Sequence, residues 1–198
     1  MRTVFFFVAI LFLAVSCSSE SPVSENNDLD GYTTILAKIS STSSGEVGGG
    51  AAINRCILEV YSAADNSLVS ERQIAKLSSG YAQFKVKLQN SQTYKLVLWA
   101  DYSADGSSDG FYDTAGGLQN ISRNTAKYTG NNEQLDAFYA CQEFAGNGNT
   151  VNVEMKRPFA QLNIYASDLN DLSGANRPAK VSVSFSSVYT SFNALTGV

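Results

Sequence analysis

The chain has 198 residues, sets 14 Lys and Arg against 18 Asp and Glu, and contains no histidine. The missing histidine removes every Ser-His or Cys-His nucleophile pair and the commonest general base and metal ligand. The lack of any basic run excludes nucleic acid as an expected partner. Charged residues make up 16% of the chain, below the roughly 25% of ordinary soluble domains. Ser, Thr, Asn, Gly and Tyr fill the difference, as they do in neutral exported β-proteins.

Residues 1–16 read as a lipoprotein signal peptide. Arg2 gives a positive start, Val4 to Leu13 is unbroken apolar sequence, and Ala14-Val15-Ser16 places small residues directly before Cys17. The apolar run is well short of the roughly 20 residues a membrane span needs, and its order of charge, apolar core and small residues marks a secretory signal. A cysteine at the cleavage point makes Cys17 the expected site of lipid attachment, with several acyl chains giving durable anchoring. Removing the signal takes Arg2 with it and leaves 13 basic against 18 acidic side chains. Residues 17–31 are rich in Ser, Glu, Asn and Asp and read as a flexible tether.

Tyr32 to Ser40 is the first strand candidate, followed by a Ser/Gly loop from Ser41 to Gly50. Cys56 to Tyr61 and Ser67 to Ile74 form an expected hairpin turning at Asp65-Asn66. In Tyr81 to Leu88, Ala82, Phe84, Val86 and Leu88 alternate with Gln83, Lys85 and Lys87, the pattern of a half-buried strand. Tyr94 to Ala100 is apolar on both faces and predicts a central strand. Further alternation runs through Val151 to Lys156, Ala160 to Ala166, and Val181 to Phe185. No window has a helical apolar period, so these strands predict an all-β sandwich over residues 32–185, of about seven strands. Residues 186–198 read as the start of a second, truncated unit.

Asp101 to Asp136 breaks the alternation and is expected as a long inserted loop. Connections of this length carry function or are disordered, and the aromatic content here argues for order. Asp101, Asp105, Asp109 and Asp113 recur every four residues. Calcium favours acidic, glycine-turned loops, so these four are the Ca²⁺ candidates, although the EF-hand spacing is absent and solvated Asp-Gly turns are the plainer reading. Trp99, Tyr112 and their aromatic neighbours could stack on sugar rings, but core packing explains most of them. Cys56 and Cys141 either pair as a disulfide in an oxidising compartment or sit buried and free. No phosphate loop and no placed carboxylate pair is present. The chain offers an enzyme no residues to work with, and no cofactor beyond the lipid is expected.

Three stretches carry a family resemblance. They are Tyr94-Lys-Leu-Val-Leu-Trp-Ala-Asp-Tyr102 with Tyr112-Asp113-Thr114, then Asp136-Ala137-Phe138-Tyr139, then Lys156-Arg157-Pro158-Phe159-Ala160-Gln161-Leu162-Asn163-Ile164. Behind a lipoprotein signal, these resemble the fimbrillin-family surface lipoproteins. The resemblance implies a transthyretin-like β-sandwich at the outer membrane, displayed on the cell surface, that builds or decorates fimbriae. In polymerising members an Arg-specific protease removes the first strand, and a strand from the next subunit fills the groove. Arg55, which follows the Ser/Gly loop, is the matching candidate for processing; its plainer reading is a solvated residue at a strand start. Two non-enzymatic functions follow as expectations. One is a fimbrillin-like structural or adhesive subunit or accessory protein, with other fimbrial subunits as partners. The other is a non-polymerising outer-membrane lipoprotein that binds glycan or host protein through the long loop.

Overall fold

The computed structural model describes residues 32–40, 49–160, 162, 164, 166–174, 176–180 and 182–198. The signal peptide, Cys17, the tether and residues 41–48 of the Ser/Gly loop lie outside the described residues.

The protein is an all-β sandwich. Its strands are β1 (Tyr32–Ile39), β2 (Arg55–Ser62), β3 (Gln73–Lys76), β4 (Tyr81–Lys87), β5 (Thr93–Asp101), β8 (Phe138–Ala145) and β9 (Thr150–Met155). One sheet has three of them in the order β4-β1-β9, and the other has four in the order β3-β2-β5-β8. Three short strands, β6 (Tyr112–Asp113), β7 (Ile121–Arg123) and β10 (Ser191–Phe192), form a separate small sheet in the order β10-β7-β6.

Period-two patterning fixes which face of each strand enters the core. Ile35 and Ala37 of β1, Ala82, Phe84 and Val86 of β4, and Val153 and Met155 of β9 point inward from the first sheet. Cys56, Leu58 and Val60 of β2, with Leu96, Leu98 and Ala100 of β5, meet them from the second. β1 is the middle strand of its sheet, antiparallel to β4 and parallel to β9, with Thr34 opposite both Lys85 and Thr150.

A tight turn joins β3 and β4. Ser78 and Tyr81 exchange both backbone hydrogen bonds at 2.9 Å, and Ser79 and Gly80 take φ of 50° and 80°. Two central residues with positive φ are the hairpin geometry whose twist matches the flanking strands. A Cβ on Gly80 would also lie 3.2 Å from Ile39.

β2 and β5 are buried on both faces, because a second apolar cluster covers the outer side of their sheet. Ile57, Tyr61, Val97 and Trp99 project outward into it and meet Tyr112, Leu118 and Ile121 from the inserted loop. The loop is thus a third layer over the four-stranded sheet.

Two sequence expectations change. The hairpin partner of β2 is not one strand from Ser67 to Ile74: Leu68 bridges Tyr61, but the register then slips before Gln73 meets Leu58. The extra backbone is a bulge, which re-aims the side chains beside it, and Arg72 turns there toward the outer layer. The alternating stretches 160–166 and 181–185 also form no strand among the described residues. Leu162, Ile164, Val183 and Phe185 are exposed; alternation without a neighbouring strand does not make a sheet. Residues 191–198, within the segment expected to open a second unit, lie on the outer layer. There β10 pairs with β7, the Ala194 N–H donates to the Leu118 carbonyl at 2.9 Å, and Ala194 is buried.

Candidate functional site

The outer layer is held by buried charge. Arg55 opens β2 opposite Asp101, the last residue of β5. Its Nε and Nη2 each donate to one Asp101 carboxylate oxygen at 2.7 Å, and its Nη1 donates to the Asp109 carboxylate at 2.9 Å and the Ser107 carbonyl at 2.8 Å. The Trp99 indole N–H adds a 3.0 Å bond to Asp101. Arg55 is 1% exposed and Asp101 fully buried. Burial pushes the Asp101 carboxyl up from its usual range, against the pull of Arg55 and Trp99.

The network continues across the sheet. Burial also opposes the Asp109 charge, but the Thr114 N–H and hydroxyl, with Arg55, hold its carboxyl below the usual range. The Thr114 carbonyl and hydroxyl accept from Arg72, whose guanidinium lies 3.8 Å from Glu59. Glu59 is buried, accepts the Tyr61 hydroxyl, and takes the Leu118 N–H at 2.8 Å. Separately, Arg157 binds Asp136 through both carboxylate oxygens at 2.7 and 2.8 Å.

These contacts place the candidate residues. Arg55 is not the solvated strand-start residue of its plainer reading: its side chain is enclosed and bound by Asp101, Asp109 and the Ser107 carbonyl. The four aspartates do not converge. Asp101 and Asp109 hold Arg55, while Asp105 accepts from Ser103, Ser107 and Ser108, and Asp113 caps the Ala115 N–H. Among the described residues no group of three or more His, Cys, Asp or Glu is placed to hold a metal ion. Trp99 and Tyr112 are buried against each other, ring centroids 5.1 Å apart and edge to face, so neither presents a face to a sugar.

Cys56 and Cys141 are both free. Cys56 points into the sandwich core from β2, opposite Ala100 of β5. Cys141 on β8 lies opposite Val97, a residue of the outward face. The two cysteines are on opposite faces and two strand spacings apart, about 9–10 Å across the sheet, beyond the roughly 7 Å over which Cα atoms can be bridged. Burial pushes the Cys56 thiol strongly up and the Cys141 thiol up. In folded protein carrying Cys17→Ala, Cys141 is therefore expected to react with maleimide and Cys56 only after unfolding. Equal labelling of the two in the folded state would contradict the placement.

The three stretches that carry the resemblance meet in space. Trp99 of the first is the cross-strand partner of Tyr139 of the second, and Asp136 of the second is the ion-pair partner of Arg157 of the third. Phe192 packs on both Trp99 and Tyr139, at 6.0 and 4.8 Å between centroids. These residues build the outer layer.

The flank between β8 and β9 has a different character. Among the described residues, β8 pairs along its length only with β5, and β9 only with β1. The two strands meet in one bridge, Tyr139 to Lys156, with both backbone bonds formed at 2.8 and 2.9 Å. Below that bridge they diverge into different sheets, leaving a groove lined by Ala140, Cys141, Gln142, Val153 and Glu154, with Leu195 to Gly197 at its rim.

The chain matches the Family of unknown function (DUF6562) over residues 31–198. No curated protein matches it. Solved structures with a related arrangement include a candidate polysaccharide-binding protein from Bacteroides thetaiotaomicron, at 14% identity and TM-score 0.44, covering 64% of this chain and 47% of that one. A fimbrial assembly protein from Parabacteroides distasonis follows at 9% identity and TM-score 0.38, covering 64% and 52%. The fimbrial anchor protein Mfa2 from Porphyromonas gingivalis stands at 12% identity and TM-score 0.36, covering 64% and 49%. The chain spans about half the length of these three structures.

Proposed function

The chain belongs to the Family of unknown function (DUF6562), and from that premise we propose that it is a non-enzymatic surface lipoprotein, a fimbrillin-like structural or adhesive component anchored at the outer membrane through lipid on Cys17. The observation that carries this reading is the open flank between β8 and β9. Among the described residues, each strand has one edge whose N–H and C=O groups lack a neighbouring strand, and such an edge is a template for a strand from another chain. An extended segment of a partner subunit could pair with either edge and lay alternate side chains into the groove between them.

The anchored form of this reading is favoured over a processed one. Proteolysis concentrates at exposed, weakly held backbone, and Arg55 sits in a buried ion pair instead. With β1 retained as the middle strand of its sheet, the unit stays attached to its own amino terminus. The test is mass spectrometry of the amino terminus of protein recovered from intact cell surfaces. An acylated Cys17 is the expected result. A terminus at Cys56 would show that Arg55 is cut and that β1 is shed, and an unacylated terminus would remove the anchor.

A further inference from the structure

The solvent face of the three-stranded sheet carries a charge pattern that the rest of the chain does not share. Lys38, Lys76, Lys85 and Lys87 are exposed on or beside it, half of the eight lysines in a chain whose net charge is −4. None of the four has a carboxylate within ion-pair distance among the described residues. Among the described residues the one acidic group on this face is Glu154, which already accepts the Ser40 hydroxyl at 2.8 Å.

The pairing register sets these side chains in rungs. Lys38 stands between Tyr81 and Glu154, Leu36 between Gln83 and Asn152, and Tyr32 beside Lys87. Tyr81 is 55% exposed, and the Lys38 ammonium lies 5.9 Å from the centre of its ring. A shallow open depression of about 490 Å³ runs over Leu36, Lys38, Lys76, Tyr81, Gln83 and Asn152, with Glu154 also in its lining.

We propose that this face binds an anionic polysaccharide, one bearing uronate carboxylates or sulfate esters. The inference rests on the adhesive form of the function proposed above and moves its site away from Trp99 and Tyr112, the sugar-stacking candidates, which are buried, while the exposed Tyr128 of the inserted loop carries the Arg123 guanidinium over its ring. Each part of the chemistry has a residue here. An exposed tyrosine ring offers an apolar face to sugar C–H groups and a polar tip. Lysine ammonium groups form charge-assisted bonds to carboxylate or sulfate. The amides of Gln83 and Asn152 each present donors and an acceptor to hydroxyls. Lys85 and Lys87 share a face two residues apart on β4, about 7 Å along the strand, and so continue the positive track beyond the depression. A track suits a polymer with repeating charge better than a single small anion. The face is built from paired strands, so it is ordered before any ligand arrives.

The test uses the purified full chain with polygalacturonate, chondroitin sulfate and neutral dextran as probes. Saturable binding to a charged polymer, weakening as salt rises and absent for dextran, is the expected result. Lys38→Gln and Tyr81→Ala should each weaken it by about tenfold, as loss of a charge-assisted bond or a stacking face does, with the melting temperature unchanged. Lys127→Gln, on the inserted loop over the other sheet, should leave binding intact. Equal binding to dextran, equal loss in the Lys127 variant, or binding only to vesicles of anionic lipid would overturn the proposal. A null result with Cys17 still acylated sinks the glycan site alone, whereas loss of the acylated terminus strikes the surface reading itself.

Discussion

Replacing Asp101 with alanine is expected to cost the fold about 3–5 kcal/mol, the range found when one partner of a buried ion pair is removed. The substitution would leave the Arg55 guanidinium 1% exposed, with two of its bonds gone and only Asp109 and the Ser107 carbonyl remaining. It would also strip the Trp99 indole of its acceptor. The penalty comes from the uncompensated charge, so removing both partners should be far milder. Arg55→Met with Asp101→Leu, an apolar pair of similar bulk, is expected to recover most of the loss. Urea denaturation of the two single variants and the double variant measures the coupling directly. A cost under about 1 kcal/mol for Asp101→Ala, the value of a surface pair, would mean that water reaches the site and that Arg55 is more accessible than its geometry indicates.

Alanine at Trp99 is expected to be comparably damaging, about 3–5 kcal/mol for loss of a large buried aromatic, but its effect should be local first. Trp99 touches Tyr112 and Phe192 with its ring and Asp101 with its N–H, so it binds the inserted loop, β10 and the end of β5 together. Its removal empties the layer between sheet and loop without touching the sandwich core, which lies on the opposite face of β5. Limited proteolysis should therefore cut within residues 102–136 before the strands, while the β-sheet circular dichroism persists. Trp99 is the only tryptophan in the chain, and its emission in the unsubstituted protein reports the same layer during denaturation. Simultaneous loss of sheet signal and loop protection in Trp99→Ala would show instead that the outer layer and the sandwich are one cooperative unit.

The sandwich was legible because its strands obey a simple rule. Tyr81 to Lys87 shows one apolar face, and Thr93 to Asp101 shows two, as a strand covered on both sides must. The outer layer was not legible, for a physical reason. It is tied down by Arg55, Asp101, Asp109, Thr114, Arg72 and Glu59, and a buried ion pair leaves no periodic trace: Arg55 and Asp101 are distant in sequence and each looks solvated in isolation. A hint did exist in Glu59, a charged residue in the middle of Cys56 to Tyr61, where burial on both faces demands a partner. Among the described residues, the stretches 160–166 and 181–185 differ in the opposite direction. Their alternation is as good as that of β9, but a strand also needs a neighbour, and the pattern cannot supply one. Cys141 shows the same limit: its place in the sequence does not say which face of β8 its thiol occupies.

The parallel pairing of β1 with β9 has a consequence in time. β1 is synthesised first, yet one of its two neighbours is the last strand of the sandwich, with Thr34 opposite Thr150. Such distant pairings must pay their loop-closure entropy before they return any contact energy. A chain emerging amino terminus first can join β1 to β4 early, but the other side of β1 stays bare until residues 150–155 appear. Throughout that interval the nascent sheet presents the edge that later becomes its interior, and any extended segment nearby can compete for it. Completion of this domain should therefore be slow and governed by the arrival of β9, and the unfinished form is the one most in need of a chaperone.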